Sequence, residues 1–398
     1  MHLAAVAAWA FASGISNAAE GITWGILAAI SVARIPKVWR CWIPILTDPL
    51  WLALLGWTAW LCLSTALSPV PMEGGLRLVP ERWVFTPLLV WPTLSRPWVL
   101  LAAMGAGAFV QVLGAVLLSW SGGGWLRNLD VRALSRFGQL QWQVHCAVTL
   151  GTAGIRWLPG RMRWIPAPLL TAALLVVERG GRRLALFGAS VAMGIAVFRP
   201  RPRLGWGQWL TLAGIVAALA GASFWSGAVH RSVITVRSAI RAADREGLYA
   251  TVDRLSEHRL LLVHAAFDIG TARPLLGTGR GSFGPRLEGW VERERAGLES
   301  MRIPVKAISE SAVNDAHNAL LNAFAEGGLP AAACLGIALL GTALRLWRGS
   351  RTAVTASVAL ALYSAILLGM VCQPVTAKAP GAIIAVCLAI SGIDRRPE

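Results

Sequence analysis

The sequence predicts an all-α integral membrane protein, with about twelve transmembrane helices and one large, partly helical outer loop between helices 9 and 10. The 398-residue chain is 56% hydrophobic and 14% charged, with a mean hydropathy of +0.58, which excludes an ordinary soluble protein. Apolar stretches near the roughly 20 residues that cross a bilayer recur along nearly the whole chain. We therefore expect residues 1–398 to form a single polytopic membrane domain.

The predicted spans follow one another through short connections, with one polar interruption at residues 227–316. The first stretch has no basic region and no cleavage site, so we expect it to be kept as a span. The fourth, seventh and twelfth spans are shorter than the others. The spans cover residues 2–16, 21–34, 49–67, 82–96, 97–120, 139–157, 164–178, 183–198, 206–226, 317–346, 353–373 and 379–393.

The net charge of +17 is almost entirely due to arginine. The short connections on the side of the N-terminus carry more basic residues than those on the opposite side, which places both termini in the cytoplasm. The segment 227–316 then lies on the outer face. No soluble basic domain is predicted, so we expect membrane lipids and no nucleic acid among the partners.

The six cysteines contain no CxxC pair, which disfavours a zinc site or a disulfide framework.

Outer-face arginines are informative because the charge rule disfavours them there. Arg179, Arg182 and Arg183 share one short outer connection, and Arg136 precedes the sixth span. Guanidinium groups bind phosphate oxygens in a bidentate manner, so this pattern predicts an anionic partner. The alternatives are contacts with lipid headgroups, or an ion pair between Arg179 and Glu178.

The outer segment itself contains predicted helices at residues 230–247 and 252–270, and a charged, solvated lid at 284–313. We expect the second helix, which carries Arg259, to lie along the membrane surface. The glycine-rich run at 274–283 lacks the Lys-Ser/Thr of a phosphate-binding loop. It therefore predicts a tight turn in which two backbones approach closely.

His317 lies where the tenth span begins, followed by Asn318, which can cap that helix. Imidazole is well suited to accept a proton from a hydroxyl group near neutral pH. His317 is thus a candidate general base, and the alternative is a capping or interfacial histidine. Glu326, inside the tenth span, is expected to be buried and hydrogen-bonded; the alternative is the proton carrier of a transporter.

At these residues the chain resembles the O-antigen ligase family, which is related to O-antigen polymerases and to some protein O-oligosaccharyltransferases. The resemblance covers roughly residues 50–392, and two departures are Glu178 in place of a serine and Val263 in place of a tryptophan. The matching pieces are Ser135–Gly138, Arg179–Gly181, Arg259–Ala266, Pro274–Phe283, His317–Leu321 and Glu326–Leu329.

The resemblance implies roles for individual residues. His317 would be the general base, and Arg259 would bind the pyrophosphate of the donor together with one of Arg179, Arg182 or Arg183. Further site residues would be Arg136, which would also bind pyrophosphate, and Asn318, Gly277, Gly279 and Arg280, which would support the site.

The implied reaction transfers a glycan from undecaprenyl pyrophosphate to lipid A–core oligosaccharide, with inversion, in lipopolysaccharide biosynthesis. It would take place at the periplasmic face of a bacterial inner membrane. No cofactor is expected. The outer-face acidic residues contain no Asp-x-Asp pair, so we expect no metal site there. An O-antigen polymerase would carry the same motifs and stays open as an alternative. Protein O-oligosaccharyltransferases and lipid-linked glycan transporters are further alternatives, although no internal repeat points to a transporter.

Overall fold

The structure is a computed structural model that describes residues 1–69, 71–120, 146–151, 153, 206, 247–255, 258–300, 315–370 and 378–393. Within these ranges the regular secondary structure is helical, and no strand occurs. The α-helices are α1 (His2–Ser13), α2 (Asn17–Ala33), α3 (Ile35–Leu46), α4 (Pro49–Ala66), α5 (Pro71–Leu78), α6 (Thr86–Val90), α7 (Pro97–Trp120), α8 (Leu248–Leu255), α9 (Arg259–Ala272), α10 (Phe283–Arg293), α11 (Arg295–Ser300), α12 (Ala319–Gly349), α13 (Val354–Met370) and α14 (Lys378–Ser391).

Several of these helices are long and apolar enough to cross a membrane. In the described part of the chain they are Pro49–Ala66, Pro97–Gly114 and Ala319–Gly349. The predicted spans at 49–67, 97–120 and 317–346 are therefore confirmed as apolar helices of spanning length. Helices α1, α13 and α14 are apolar but shorter. Most of the predicted spans between residues 139 and 226 lie outside the described residues, so the count of twelve stays a prediction.

The expectation of one continuous span at 82–96 is wrong. A 3₁₀ helix (Val79–Phe85), the short α6 and a second 3₁₀ helix (Trp91–Thr93) follow one another there. Prolines at 80, 87 and 92 recur about once per short segment. Each proline lacks the N–H that would extend the preceding helix, so the apolar run is divided into separate turns.

The connection between the predicted spans at 21–34 and 49–67 was expected to be a loop, but it contains the helix α3. Helices α2 and α3 meet at an angle of 105° around Arg34. Pro36 lies in the first turn of α3, where its missing N–H costs nothing, whereas it could not continue α2. The basic residues Lys37 and Arg40 thus belong to a helix.

The predicted helix at 252–270 is in fact two helices, α8 and α9, separated at His258. The backbone of His258 is left-handed, with φ of 63°. The Asp253 carboxylate contacts the imidazole of His258 at 2.7 Å and accepts the backbone N–H of Leu261 at 2.8 Å. This carboxylate, which belongs to α8, therefore accepts an N–H of the first turn of α9 that has no acceptor within that helix. The contact stabilises the separation of the two helices. Gly247, where a break was expected, directly precedes α8.

The central contact of the fold is between α4 and α12, which pack along each other. At one end Arg345 of α12 bonds to Asp48 at 2.5 Å, and Asp48 also caps α4 through the N–H of Leu50 at 2.8 Å. At the other end the loop that follows α9 lies against both helices. Helices α13 and α14 also pack against α12, where Tyr363 donates to the carbonyl of Leu339 at 3.0 Å.

Candidate functional site

Helix α12 is broken near its N-terminus. Gly328 has φ of 73° and ψ of −174°, a conformation outside the helical region. Pro330 follows and has no N–H, and the N–H of Leu329 donates to the carbonyl of Pro274 at 2.7 Å instead of to its own helix. The carbonyls of residues 325–326 therefore lose their intrahelical donors. Inside a membrane such groups need other partners.

The missing partners come from residues 273–282, which we call the glycine loop. The backbone N–H of Thr278 and its hydroxyl donate to the carbonyl of Ala325 at 3.1 and 2.9 Å. The N–H of Gly279 donates to the carbonyl of Glu326 at 2.8 Å. The glycine loop thus replaces the hydrogen bonds that the break removes.

This exchange requires two backbones in direct contact. A Cβ atom on Gly277 (φ 63°) would lie 2.5 Å from the carbonyl carbon of Glu326. A Cβ atom on Gly328 would lie 2.3 Å from the carbonyl oxygen of Leu275. Both positions accept only glycine, for space and for backbone conformation. The prediction of a tight turn with closely approaching backbones is confirmed.

Helix α4 also contacts the glycine loop and the break in α12, through two hydroxyl side chains. The hydroxyl of Ser64 donates to the carbonyl of Leu276 and lies 2.8 Å from the carbonyl of Glu326. The Thr65 hydroxyl accepts the backbone N–H of Arg280 at 3.0 Å. The glycine loop, the break in α12 and the end of α4 therefore form one rigid unit.

A buried ion cluster lies at the centre of this unit. The guanidinium of Arg280 binds the carboxylates of Glu326 and Glu81, the latter at 2.6 Å. Arg280 is 7% exposed and both glutamates are 1% exposed. The second oxygen of the Glu326 carboxylate accepts the N–H of Gly281 at 2.8 Å. Glu326 is thus buried and hydrogen-bonded, as expected.

These contacts bear on the predicted role of Arg280. Burial by itself would lower the pKa of the Arg280 guanidinium, but Glu326 and Glu81 raise that pKa above its ordinary value. Because two buried carboxylates already neutralise its charge, the contacts of Arg280 indicate a structural role beside the site, and its predicted supporting role stays a prediction.

Asn322 connects the ion cluster to the histidine. Its side-chain amide donates to Glu326 at 3.0 Å, and its side-chain oxygen accepts the N–H of Ala316 at 3.2 Å. Ala316 immediately precedes His317. The backbone next to the candidate base is therefore held by a chain of contacts that begins at Arg280.

His317 adopts a left-handed conformation, with φ of 49°. One oxygen of Asp315 accepts the His317 backbone N–H at 2.9 Å and also lies 2.7 Å from the imidazole Nδ1. The second contact is an ion-pair distance without hydrogen-bond geometry. The His317 side chain remains 38% exposed. An anionic side chain thus lies beside a partly exposed imidazole.

Asn318 is the cap of α12, as predicted. Its side-chain oxygen accepts the N–H groups of Leu320 and Leu321 at 3.1 and 3.0 Å. His317 lies one residue before this cap. His317 is therefore not the capping residue, and an interfacial histidine stays the alternative to a general base.

Arg259 is the first residue of α9 and is partly exposed. The buried face of α9, which includes Leu261 and Ala265, packs in one apolar cluster with Ala316 and Ala325. Arg259 therefore lies on a helix that contacts both the His317 segment and α12. The other predicted arginines, Arg136, Arg179, Arg182 and Arg183, lie outside the described residues.

Two features of the site were not found from the sequence. Glu81 is separated from Arg280 by 199 positions, and nothing local connects them. Like His317, His258 has an aspartate carboxylate 2.7 Å from its Nδ1, but this is Asp253, five positions earlier, and the contact is a hydrogen bond. In the described part of the chain these two histidines are the non-glycine residues with positive φ. The nearby aspartates in the sequence are the one signal that could have indicated both pairs.

The described ranges contain no group of three or more His, Cys, Asp or Glu side chains that could hold a metal ion. The expectation of a metal-independent reaction stays a prediction. Comparison with models of known protein families gives no match, and comparison with characterised proteins gives no similar sequence.

Proposed function

We propose that this protein is an O-antigen ligase, which transfers a glycan from undecaprenyl pyrophosphate to lipid A–core oligosaccharide in lipopolysaccharide biosynthesis. The observation that carries the proposal is the His317–Asp315 pair at the start of α12, where a long polar segment meets an apolar helix of spanning length. In this proposal the protein has about twelve spans in a bacterial inner membrane. Its site faces the periplasm and both termini are cytoplasmic.

The chemistry assigns one task to each group. The Nε2 atom of His317 takes the proton from an acceptor hydroxyl, and the hydroxyl oxygen attacks the anomeric carbon of the donor sugar. The bond from that carbon to the pyrophosphate oxygen breaks, its electron pair leaves with undecaprenyl pyrophosphate, and the anomeric configuration inverts. Asp315 stabilises the imidazolium that forms.

Negative charge develops on the departing pyrophosphate, and fixed cations are suited to stabilise it. Arg259 is the described residue that we assign to this task. The remaining outer-face arginines, Arg179, Arg182, Arg183 and Arg136, are assigned with it on the basis of the sequence alone.

A purified-component assay tests the proposal. The protein, lipid-linked O-antigen and lipid A–core are mixed in detergent with excess EDTA, and products are separated by size. Appearance of glycan on lipid A–core supports the proposal. Lengthening of the lipid-linked glycan in the absence of core would instead identify a polymerase, and activity restored only by Mg²⁺ or Mn²⁺ would contradict the metal-free mechanism.

A further inference from the structure

A cavity of about 340 Å³ adjoins the His317 segment. Its walls include Arg77, Arg280, Asp315, Asn322 and Glu326. This volume is at the lower end of the roughly 300–1,000 Å³ that is usual for small-molecule sites. It therefore fits a small polar group or a short stretch of glycan.

The charges around this cavity are mixed. Arg280 is neutralised by Glu81 and Glu326, and Asp315 adds a further carboxylate. Arg77 is exposed and has no ion pair with any residue in the described ranges. The wall thus offers no excess of positive charge, so a pyrophosphate would find as many anions as cations there.

Sugar hydroxyl groups fit this wall better, because each can donate to a carboxylate and accept from a guanidinium or an amide. Arg280 is more than nine-tenths buried, lines the cavity, and its Nε–H has no acceptor in the described part of the chain. Asn322 and Glu326 add neutral and anionic groups within the same wall. The wall is therefore suited to a neutral, polyhydroxylated ligand.

The location of Asp315 connects this cavity to the reaction. Its carboxylate lines the cavity and lies 2.7 Å from Nδ1 of His317. A sugar bound in the cavity would therefore lie beside Asp315, on the Nδ1 side of the His317 imidazole. We propose that this cavity is the subsite for the terminal sugar of the acceptor, an inference that rests on the proposed function.

Arg77 is the specificity-determining residue of this subsite. Its side chain crosses directly over Gly281 (φ 75°), where a Cβ atom would lie 2.1 Å from the Arg77 Cδ. A larger residue at position 281 would therefore collide with the Arg77 side chain where it lies along the cavity wall. With no ion-pair partner among the described residues, its guanidinium is then available to bind hydroxyl oxygens of the acceptor.

The test compares Arg77→Ala and Arg77→Lys with Arg286→Ala, which removes an exposed arginine of α10 that does not line the cavity. For each purified variant, the KM for lipid A–core and the KM for the lipid-linked donor are measured separately. We expect Arg77→Ala to raise the acceptor KM by about tenfold or more, with a smaller rise for Arg77→Lys. The donor KM should stay within about twofold in both, and Arg286→Ala should change neither.

Each other outcome has a distinct meaning. A rise in the donor KM with an unchanged acceptor KM would overturn the acceptor subsite and leave the proposed function intact. Unchanged kinetics in folded Arg77→Ala would also overturn it. If the wild-type protein transfers no glycan to lipid A–core, the proposed function fails and the subsite fails with it.

Discussion

One carboxylate oxygen of Asp315 contacts His317 twice, at 2.9 Å from its backbone N–H and at 2.7 Å from its imidazole Nδ1. The first contact stabilises a left-handed backbone that would otherwise cost on the order of 1–3 kcal/mol in a non-glycine residue. The second places a fixed negative charge beside the ring. The same side chain therefore sets both the position and the electrostatics of the candidate base.

The ion cluster predicts that Arg280 is needed for stability. In Arg280→Ala the carboxylates of Glu81 and Glu326 would remain buried without their cation, which we expect to cost about 3–5 kcal/mol of unfolding free energy. Thermal unfolding in detergent measures this loss. The control is Arg295→Ala, which removes an exposed ion pair with Glu292 and should cause no measurable change. Normal stability of Arg280→Ala would contradict this structural role.

The break in α12 predicts different outcomes for two glycines of the same helix. Gly328→Ala would require a backbone conformation reserved for glycine and would place Cβ 2.3 Å from a carbonyl oxygen. We expect severe loss of folded protein. Gly336→Ala meets no atom closer than 3.8 Å and should be tolerated or stabilise the helix by about 0.5–1 kcal/mol. Yields of monodisperse protein for the two variants would test this, and equal yields would mean that the break is not required.

Arg259→Lys tests the assignment of the donor site. Lysine keeps the charge but loses the planar fork that binds two phosphate oxygens. We expect kcat/KM for the donor to fall by about 10- to 100-fold, which corresponds to roughly 1–3 kcal/mol. The matched control is Arg348→Lys, at an exposed position near the far end of α12, and it should have no effect. Wild-type kinetics in Arg259→Lys would instead indicate a lipid headgroup contact.

Topology provides an independent test. We expect Ser300 to face the periplasm and Thr352 to face the cytoplasm, and both are exposed in the structure. In intact spheroplasts a membrane-impermeant thiol reagent should label Ser300→Cys and not Thr352→Cys, with the unsubstituted protein as background. Labelling of Thr352→Cys alone would place the site on the wrong side of the membrane for a periplasmic ligase.

The long apolar helices were predictable because composition alone determines where a chain can enter a membrane. The cap at Asn318 and the tight turn at Gly277 were also predictable, since both follow from local backbone chemistry. Residues 82–96 form several short helices because prolines recur there. The prediction of one span rested on the hydropathy of this stretch and did not take the prolines into account. The bond between Arg280 and Glu81 was not predictable, because only the packing of α12 against α4 brings residues so distant in sequence together.

The turnover number of His317→Ala in the purified-component assay tests the central claim most directly. If His317 is the general base, kcat should fall by roughly 10²- to 10⁴-fold, while thermal stability and donor binding remain close to wild type. Asp315→Asn should show a smaller loss, about tenfold, because the base remains and only its anionic partner is removed. Folded His317→Ala that keeps more than about a tenth of the wild-type turnover would contradict the account, since so small a loss is below the usual contribution of a general base.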